Sequence, residues 1–422
     1  MSLGVAMGVA GLLAVALVPA WAYSPPPGVI PVTLQAQEAN AAFLAYAPAP
    51  AGGAGALCLV DTGVNSNPDT QNALVSATAI DGGTGADVDP LEHGTMMAMV
   101  AGADGHGMWG AWPQIKIVSV RSTTVPQAGQ EPTYEFDDYW KAIQQCLNGA
   151  AEYHVKVINL ALASPIPPSP DQAANFATAV GQAHSDNIAL VAAAGNSPGA
   201  IQEPGAEPGV LAVGAYDTLG SGVCSFSATT NLTFYAPGCD LNFADPSTDA
   251  PDPLAGRGTS QASAFAAAVL VALMSYDPSL TYTQAENLLI STASGGELNA
   301  TAAFDAAGLQ SIVAAGNANI PKTTTTTTTS TSTSTSTAST GAASGVTVTS
   351  ARWKAHKLTL VVAGLPSGDR LAVQLRYKHA KTRNLSTLKA STVFRTAKPS
   401  EVLLTVWDGT KDIQGPINAH VS

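Results

Sequence analysis

Three polar residues in this sequence have the chemistry that acyl transfer requires. Asp61 follows an apolar run, His93 precedes a helix-like stretch, and Ser260 follows the glycine-rich turn Gly256–Gly258. A serine hydroxyl, an imidazole base and a carboxylate that orients the imidazole together cleave peptide bonds through an acyl-enzyme. Taken singly, each residue also fits a structural role, as a turn carboxylate, a helix-capping histidine or an N-cap serine.

Asn196 supplies a fourth group. It comes just after the apolar run Val191–Ala194. Its side-chain N–H₂ can donate to the negative oxygen that develops on an attacked carbonyl. The helix that begins near Ser260 offers a second donor, because the first backbone N–H groups of a helix have no intrahelical partner. Read alone, Asn196 is a turn residue.

The elements that must position these residues are apolar runs that alternate with helix-like stretches. Such runs suit parallel strands that helices cover on both faces. The carboxyl ends of parallel strands share one edge of a sheet, which is where ligands bind. We therefore predict an α/β fold with a doubly wound, mainly parallel sheet. The predicted strands are Leu57–Val60, Ile115–Val120, Val155–Ile158, Ile188–Val191 and Val210–Val213.

The order of these motifs resembles that of the subtilisin-like serine peptidases, or subtilases. D-T-G contains Asp61, H-G-T begins at His93, A-A-A-G-N ends at Asn196 and G-T-S-x-A-S contains Ser260. The resemblance covers about residues 44–315. It implies a serine endopeptidase with an Asp-His-Ser catalytic triad and an oxyanion hole that the asparagine completes. More loosely, the layout also resembles actinobacterial mycosin-like proteases.

The resemblance also implies which residues bind the substrate. Ala163 stands in place of a family glycine and is expected to narrow the entrance of the primary specificity pocket. Gln202 and Glu203 are expected near the base of this pocket, where the charge of Glu203 would favour a basic residue before the scissile bond. The expected substrate-binding residues are Leu160, Ala161, Leu162, Ala163, Ala193, Ala194, Gly195 and Glu203.

Charge and composition divide the chain into modules. The first 322 residues hold 6 Lys and Arg against 26 Asp and Glu, whereas the remainder holds 12 against 4. Residues 323–340 are almost pure Thr and Ser, which bury no apolar surface and favour a solvated linker. We predict a signal peptide at 1–22, an N-terminal extension at 23–56, the peptidase domain at 57–315, a linker at 316–345 and a basic β-sandwich-like domain at 346–422.

The N-terminal segment indicates export to the cell surface or the medium. The apolar run Leu3–Val18 precedes the small-x-small site Ala20–Ala22, a pattern typical of a cleaved signal. An uncleaved membrane anchor is the alternative. Residues 23–56 are rich in Pro, Ala and Gly, which suggests a tether onto the first strand.

Export would place the four cysteines in an oxidising compartment. Cys224 and Cys239 flank a short loop and are the first expected disulfide, which leaves Cys58 with Cys146. For this second pair, buried free thiols are an equal alternative.

No motif demands a cofactor. Calcium often braces subtilases, and Asp81, Asp87 and Asp89 form an acidic loop, for which a solvated surface is the simpler interpretation. The tail's basic residues suggest docking to an anionic cell-wall polymer, with a solvated charged face as the alternative. We expect a monomer that acts on polypeptides and no nucleic-acid partner. These basic residues are Arg352, Lys354, Lys357, Arg376, Lys378, Lys381, Arg383 and Lys389.

Two other functions are compatible with the sequence. A catalytically inactive subtilase fold would serve as a binding scaffold, since Ala264 and Phe265 replace the proline and histidine that often follow G-T-S-x-A-S. Only residues 23–56 stand where many subtilases carry an inhibitory prodomain. Alternatively, the chain is a surface adhesion protein whose basic tail does the binding.

Overall fold

The computed structural model describes residues 39–126, 132–216, 222–239 and 257–320 in full. It also gives the backbone of residues 217, 241–244 and 251–256 and of seven strands between residues 347 and 419. The predicted signal peptide, residues 23–38 of the predicted extension and residues 321–345 of the predicted linker lie outside the described residues.

An eight-stranded sheet lies at the centre of the described residues between 39 and 320. Its strands are β1 (Ala56–Asp61), β2 (Leu74–Ala79), β3 (Lys116–Arg121), β4 (Val155–Leu160), β5 (Ala189–Ala193), β6 (Leu211–Asp217), β7 (Gly222–Val223) and β8 (Phe234–Cys239). They run in the order β2-β3-β1-β4-β5-β6, all parallel to their neighbours, and β6 also pairs with parallel β8 and antiparallel β7. This confirms the predicted mainly parallel sheet.

Helices cover both faces of the sheet because successive side chains of a strand point to opposite sides. The helices are α1 (His93–Gly102), α2 (Phe136–Asn148), α3 (Ala150–Tyr153), α4 (Pro170–Ser185), α5 (Thr259–Tyr276), α6 (Tyr282–Thr292), α7 (Ala300–Ala306) and α8 (Gln310–Asn319). Leu57 and Leu59 pack in the core that holds α1 and α5, whereas Cys58 and Val60 pack in the core that holds α2 and α4.

Helix α5 crosses the first of these cores. Its alanine-rich sequence favours helix formation, and every residue from Thr259 to Ser275 is buried. Among the described residues it is the one helix long and apolar enough to span a membrane, but 94% of it is buried inside the protein. It is therefore a core helix, and its N-terminus carries Ser260.

Both predicted disulfides are confirmed. Cys58 of β1 is joined to Cys146 of α2, and Cys224 is joined to Cys239. The first ties the strand that ends in Asp61 to a helix on the opposite side from α5.

The described part of the N-terminal extension is not a free tether. Phe43 is buried and its ring lies 5.0 Å from that of Phe304, at the end of α7. The carbonyl of Ala39 accepts a hydrogen bond from the N–H of Ala300. A short 3-10 helix, Ala42–Ala45, forms here because these apolar residues find a surface on α7 and α8.

The remaining strands are described by their backbone alone. β9 and β10 form an antiparallel pair, and the tail forms one three-stranded and one four-stranded antiparallel sheet. Whether these two sheets pack as a sandwich is outside what is described, so the sandwich stays a prediction. The strands are β9 (Leu241–Ala244), β10 (Pro251–Gly256), β11 (Thr347–Lys354), β12 (Lys357–Ala363), β13 (Arg370–Arg376), β14 (Arg383–Thr387), β15 (Ser391–Arg395), β16 (Glu401–Trp407) and β17 (Asp412–Ala419).

Candidate active site

Asp61 and His93 form a hydrogen-bonded pair at the carboxyl edge of the sheet. The Nδ1 of His93 lies 2.7 Å from Oδ1 of Asp61, at the last residue of β1. The Asp61 side chain is fully buried, whereas 24% of the His93 side chain is exposed. A buried carboxylate at Nδ1 fixes the tautomer that leaves Nε2 free to accept a proton.

A close backbone approach holds the two members of this pair together. A Cβ atom on Gly94 would lie 2.0 Å from the carbonyl oxygen of Gly63, so only glycine allows α1 to begin this close to the end of β1. The N–H of Gly94 donates to Oγ1 of Thr62 at 2.9 Å. The D-T-G and H-G-T segments are therefore in direct contact.

The charges around His93 stabilise its protonated form. Burial alone would lower the pKa of His93, but the charge and hydrogen bond of Asp61 raise it, and Asp89 and Asp87 add to this effect. The net result is a pKa above the usual value for histidine. The site thus favours the imidazolium that forms when a base takes a proton.

Ser260 is the second residue of α5, and its side chain lies in the first helical turn. The backbone N–H groups of this turn have no intrahelical acceptor. The residue is 7% exposed and lines the same cavity as His93. A hydroxyl is thus placed beside the backbone N–H groups at the start of the helix and at the positive end of its dipole.

Asn196 is oriented by Thr259, the residue before Ser260. Its Oδ1 accepts hydrogen bonds from the backbone N–H of Thr259 at 2.9 Å and from the hydroxyl at 3.0 Å. That hydroxyl in turn accepts the N–H of Gly195 at 3.0 Å. These two bonds fix the orientation of the Asn196 amide, whose N–H₂ group can then donate into the cavity that the residue lines.

One cavity of about 250 Å³ brings the predicted groups together. Its walls include His93, Ser260 and Asn196 together with Ala161, Leu162 and Ala163. Three other predicted substrate-binding residues, Leu160, Ala193 and Ala194, are fully buried in the core, so their side chains support the wall from behind. The remaining lining residues are Tyr134, Ser197 and Gln202.

Gln202, rather than Glu203, lines the cavity. The Gln202 side chain packs against Gly195, where a Cβ would lie 2.5 Å from its Oε1. The backbone of Glu203 pairs with Ser164 through two hydrogen bonds of 2.8 and 2.9 Å. Burial raises the pKa of Glu203, and Glu207 adds to the rise. Of the two residues expected near the base of the pocket, the neutral Gln202 therefore lines the cavity, and the specificity role expected of Glu203 stays a prediction.

Tyr134 and Ser197 line the cavity but were not predicted from the sequence. The hydroxyl of Tyr134 donates to the carbonyl of Ala163 at 2.7 Å, which braces the wall of the cavity. Tyr139 does the same for Leu162 at 3.1 Å. In the sequence, Tyr134 precedes α2 and is distant from every motif, so no local pattern indicates its role.

The acidic residues do not fit a calcium site. Asp81 pairs with Arg121 at 2.9 Å, and both oxygens of Asp89 accept backbone N–H groups, from Leu91 and His93. Asp87 is partly buried and both of its oxygens accept hydrogen bonds from the protein, so it is a structural carboxylate and not simply a solvated one. A second cluster, Asp69, Asp104 and His106, fits no better, because both oxygens of Asp69 already accept backbone N–H groups.

Known proteins resemble this chain in sequence and fold. A sequence model of the subtilase family matches residues 52–306. Subtilisin DY of Bacillus licheniformis is 28% identical over 242 residues, which make up 56% of this chain and 82% of subtilisin DY. MycP1 with its N-terminal propeptide removed has a similar fold, with a TM-score of 0.53 and 22% identity over 64% of this chain and 96% of MycP1. The MycP3 protease from the type VII (ESX-3) secretion system also has a similar fold, with a TM-score of 0.54 and 22% identity over 66% of this chain and 90% of MycP3.

Proposed function

Because the chain belongs to the subtilase family and is thus a serine-type endopeptidase, we propose that Ser260, His93 and Asp61 carry out its reaction. The observation that supports this proposal is the cavity that His93 and Ser260 share, with Asp61 bonded behind the imidazole. Polypeptides are the substrates.

The first half of the reaction forms an acyl-enzyme. The Oγ of Ser260 attacks the carbonyl carbon of the scissile peptide bond while Nε2 of His93 takes the hydroxyl proton. The imidazolium is stabilised by the carboxylate of Asp61 at Nδ1. When the tetrahedral intermediate collapses, the C–N bond breaks and Nε2 gives the proton to the leaving amine.

The oxyanion of that intermediate needs donors placed in advance. We assign this role to the side-chain N–H₂ of Asn196 and the backbone N–H of Ser260. The hydrogen bonds from Thr259 fix the amide before substrate arrives. The donors therefore need no reorganisation as negative charge develops on the carbonyl oxygen.

Water completes the turnover. It takes the place of the departed amine, His93 removes one of its protons, and the resulting hydroxide attacks the acyl carbon. The ester bond to Ser260 then breaks, the carboxylic acid leaves, and the proton on Nε2 returns to the serine oxygen. No cofactor or metal enters these steps.

The residue before the scissile bond is selected by the cavity. Ala163 limits its width, and Gln202 presents an uncharged amide within it. We therefore propose that the enzyme accepts small or uncharged polar side chains there and shows no preference for Arg or Lys.

Hydrolysis of a peptide library by the purified protein tests this function. The wild type is expected to cleave internal peptide bonds, and Ser260→Ala is expected to lose this activity while keeping the wild-type circular dichroism spectrum. Unchanged hydrolysis by Ser260→Ala would refute the assignment of the nucleophile. The scaffold and adhesion alternatives predict no hydrolysis by either protein, but they leave the Asp61–His93 pair and the oriented Asn196 without a role.

We further propose that the protein is exported and that residues 346–422 form a separate basic domain that binds anionic cell-wall polymer. The support is the excess of 12 basic over 4 acidic residues after residue 322. In a co-sedimentation assay with such polymer, the full chain should bind at low salt and release at high salt, and a chain ending at residue 320 should not bind. Equal binding by both chains would contradict this proposal.

A further inference from the structure

Asp87 is partly buried beside the catalytic pair and accepts four hydrogen bonds. Its Oδ1 accepts the hydroxyl of Thr62 at 2.8 Å and the N–H of Asp89 at 3.1 Å. Its Oδ2 accepts the N–H of Thr95 at 2.8 Å and the hydroxyl of Thr95 at 2.7 Å. Donors surround both oxygens, which suits a carboxylate and neither its protonated form nor an amide.

These hydrogen bonds join the two segments that carry the catalytic pair. Thr62 follows Asp61 directly, and its hydroxyl, held by Asp87, accepts the N–H of Gly94 at 2.9 Å. Thr95 lies two residues after His93 in the first turn of α1. Asp87 is thus hydrogen-bonded to Thr62 beside Asp61 and to Thr95 near His93, and it forms no hydrogen bond with Asp61 or His93 themselves.

Asn65 closes the network from a third side. Its Oδ1 accepts the N–H of Asp87 at 3.2 Å, and its own N–H donates to the hydroxyl of Thr95 at 3.0 Å. Its side-chain N–H₂ also donates to Glu92 at 2.9 Å, just before α1. A hydrogen-bonded network of this kind restricts the loop before α1 to one arrangement.

The charge of Asp87 acts in the same direction as that of Asp61. The acidic groups that raise the pKa of His93 are Asp61 on β1 and Asp89 and Asp87 on the loop before α1. Asp89 bonds the backbone N–H of His93, so it too is near the imidazole. Burial raises the pKa of Asp87 itself, while the hydrogen bonds from Thr95 and Thr62 oppose the rise.

We propose that Asp87 is a positioning residue that keeps the imidazole of His93 aligned with the carboxylate of Asp61. This inference rests on the proposed function, since it presumes that His93 is the general base. Asp87 does not reach the substrate cavity, so its loss should affect turnover and leave substrate binding almost unchanged.

The test compares Asp87→Asn with Asp81→Asn in the full chain. Asp87→Asn keeps the shape of the side chain, but an amide has one oxygen that accepts hydrogen bonds where the carboxylate has two. We expect kcat to fall by about 10- to 100-fold, with KM within about threefold of wild type. The acid limb of the kcat/KM profile should move to lower pH, because a negative charge near His93 is lost. Asp81 is on the same loop and 48% exposed, and its variant should keep both kcat and the acid limb.

A kcat unchanged in Asp87→Asn, or an equal loss in Asp81→Asn, would overturn the proposal. If Asp87→Asn does not fold, Thr62→Val and Thr62→Ser decide instead. Removal of the hydroxyl in Thr62→Val should lower kcat and shift the acid limb, whereas Thr62→Ser keeps the hydroxyl and should retain wild-type values. Equal behaviour of these two variants would refute the role of the network. These outcomes can be distinguished from failure of the proposed function, because that failure would appear as hydrolysis that persists in Ser260→Ala.

Discussion

The side-chain oxygen of Asn196 accepts both hydrogen bonds that Thr259 can donate, one from its backbone and one from its hydroxyl. Thr259 directly precedes the proposed nucleophile Ser260 and is the first residue of its helix. The same residue therefore begins this helix and orients the side-chain amide of Asn196. The two proposed oxyanion donors are thereby fixed relative to each other.

Replacement of Asn196 by Leu should remove one oxyanion donor at nearly constant shape. We expect kcat to fall by about 100- to 1,000-fold, the range known for loss of such a donor in subtilisin, with little change in KM. Steady-state kinetics on a peptide substrate provide the measurement. A large rise in KM at constant kcat would indicate that Asn196 binds substrate and does not stabilise the oxyanion.

The pH dependence of activity should follow the protonation of His93. The base must be neutral to accept the serine proton, and the charge of Asp61 raises the pKa of His93 above the ordinary histidine value despite the opposing effect of burial. Activity is therefore expected to be present above this raised pKa and to be lost as the pH falls through it. The check is kcat/KM between about pH 5 and about pH 9. An acid limb below pH 6.5 would contradict the electrostatic effect assigned to Asp61.

Substitution of Gln202 should alter specificity, whereas substitution of Glu203 should not. Gln202→Glu places a carboxylate in the cavity and should create a preference for Arg or Lys before the scissile bond. Glu203→Gln is the matched control and should leave the cleavage profile of a peptide library unchanged. If the wild type prefers Arg or Lys and Glu203→Gln removes this preference, Glu203 selects the basic residue as the sequence suggested, and the role proposed for Gln202 is wrong.

Loss of the disulfide between Cys58 and Cys146 should destabilise the protein more than loss of the other one. The first closes a sequence separation of 88 residues and the second one of 15, and the longer loop restricts the unfolded chain more. We expect the free energy of unfolding to fall by about 2–4 kcal/mol in the Cys58→Ala, Cys146→Ala double variant. The double variant at Cys224 and Cys239 is the control, and a larger loss there in denaturant unfolding would contradict the prediction.

The motif residues of the site and the central strands can be predicted from the sequence, whereas the edge strands and the loop residues that contact the site cannot. Buried parallel strands are continuous apolar runs, so β1 and β4 are evident, whereas β2 is half-exposed at the sheet edge and β8 contains Pro237 and Gly238. The motif residues could be assigned because their types and order are distinctive. Tyr134 and Asp87 contact the site from loops, and such contacts depend on the tertiary fold.

Similarly, the positions of Gln202 and Glu203 could not be separated from the sequence. They are adjacent, and the backbone pairing of Glu203 with Ser164 decides which side chain enters the cavity. The buried part of the N-terminal extension could not be predicted from the sequence either, because Phe43 contacts Phe304 only in the folded domain.

Covalent labelling with a fluorophosphonate probe tests most directly whether Ser260 is the nucleophile that His93 activates. After incubation of the purified protein, peptide mapping by mass spectrometry should locate the label on Ser260. His93→Ala should lose the label while it retains the fold. Labelling of another residue, or undiminished labelling of Ser260 in His93→Ala, would contradict the proposed pairing of these two residues.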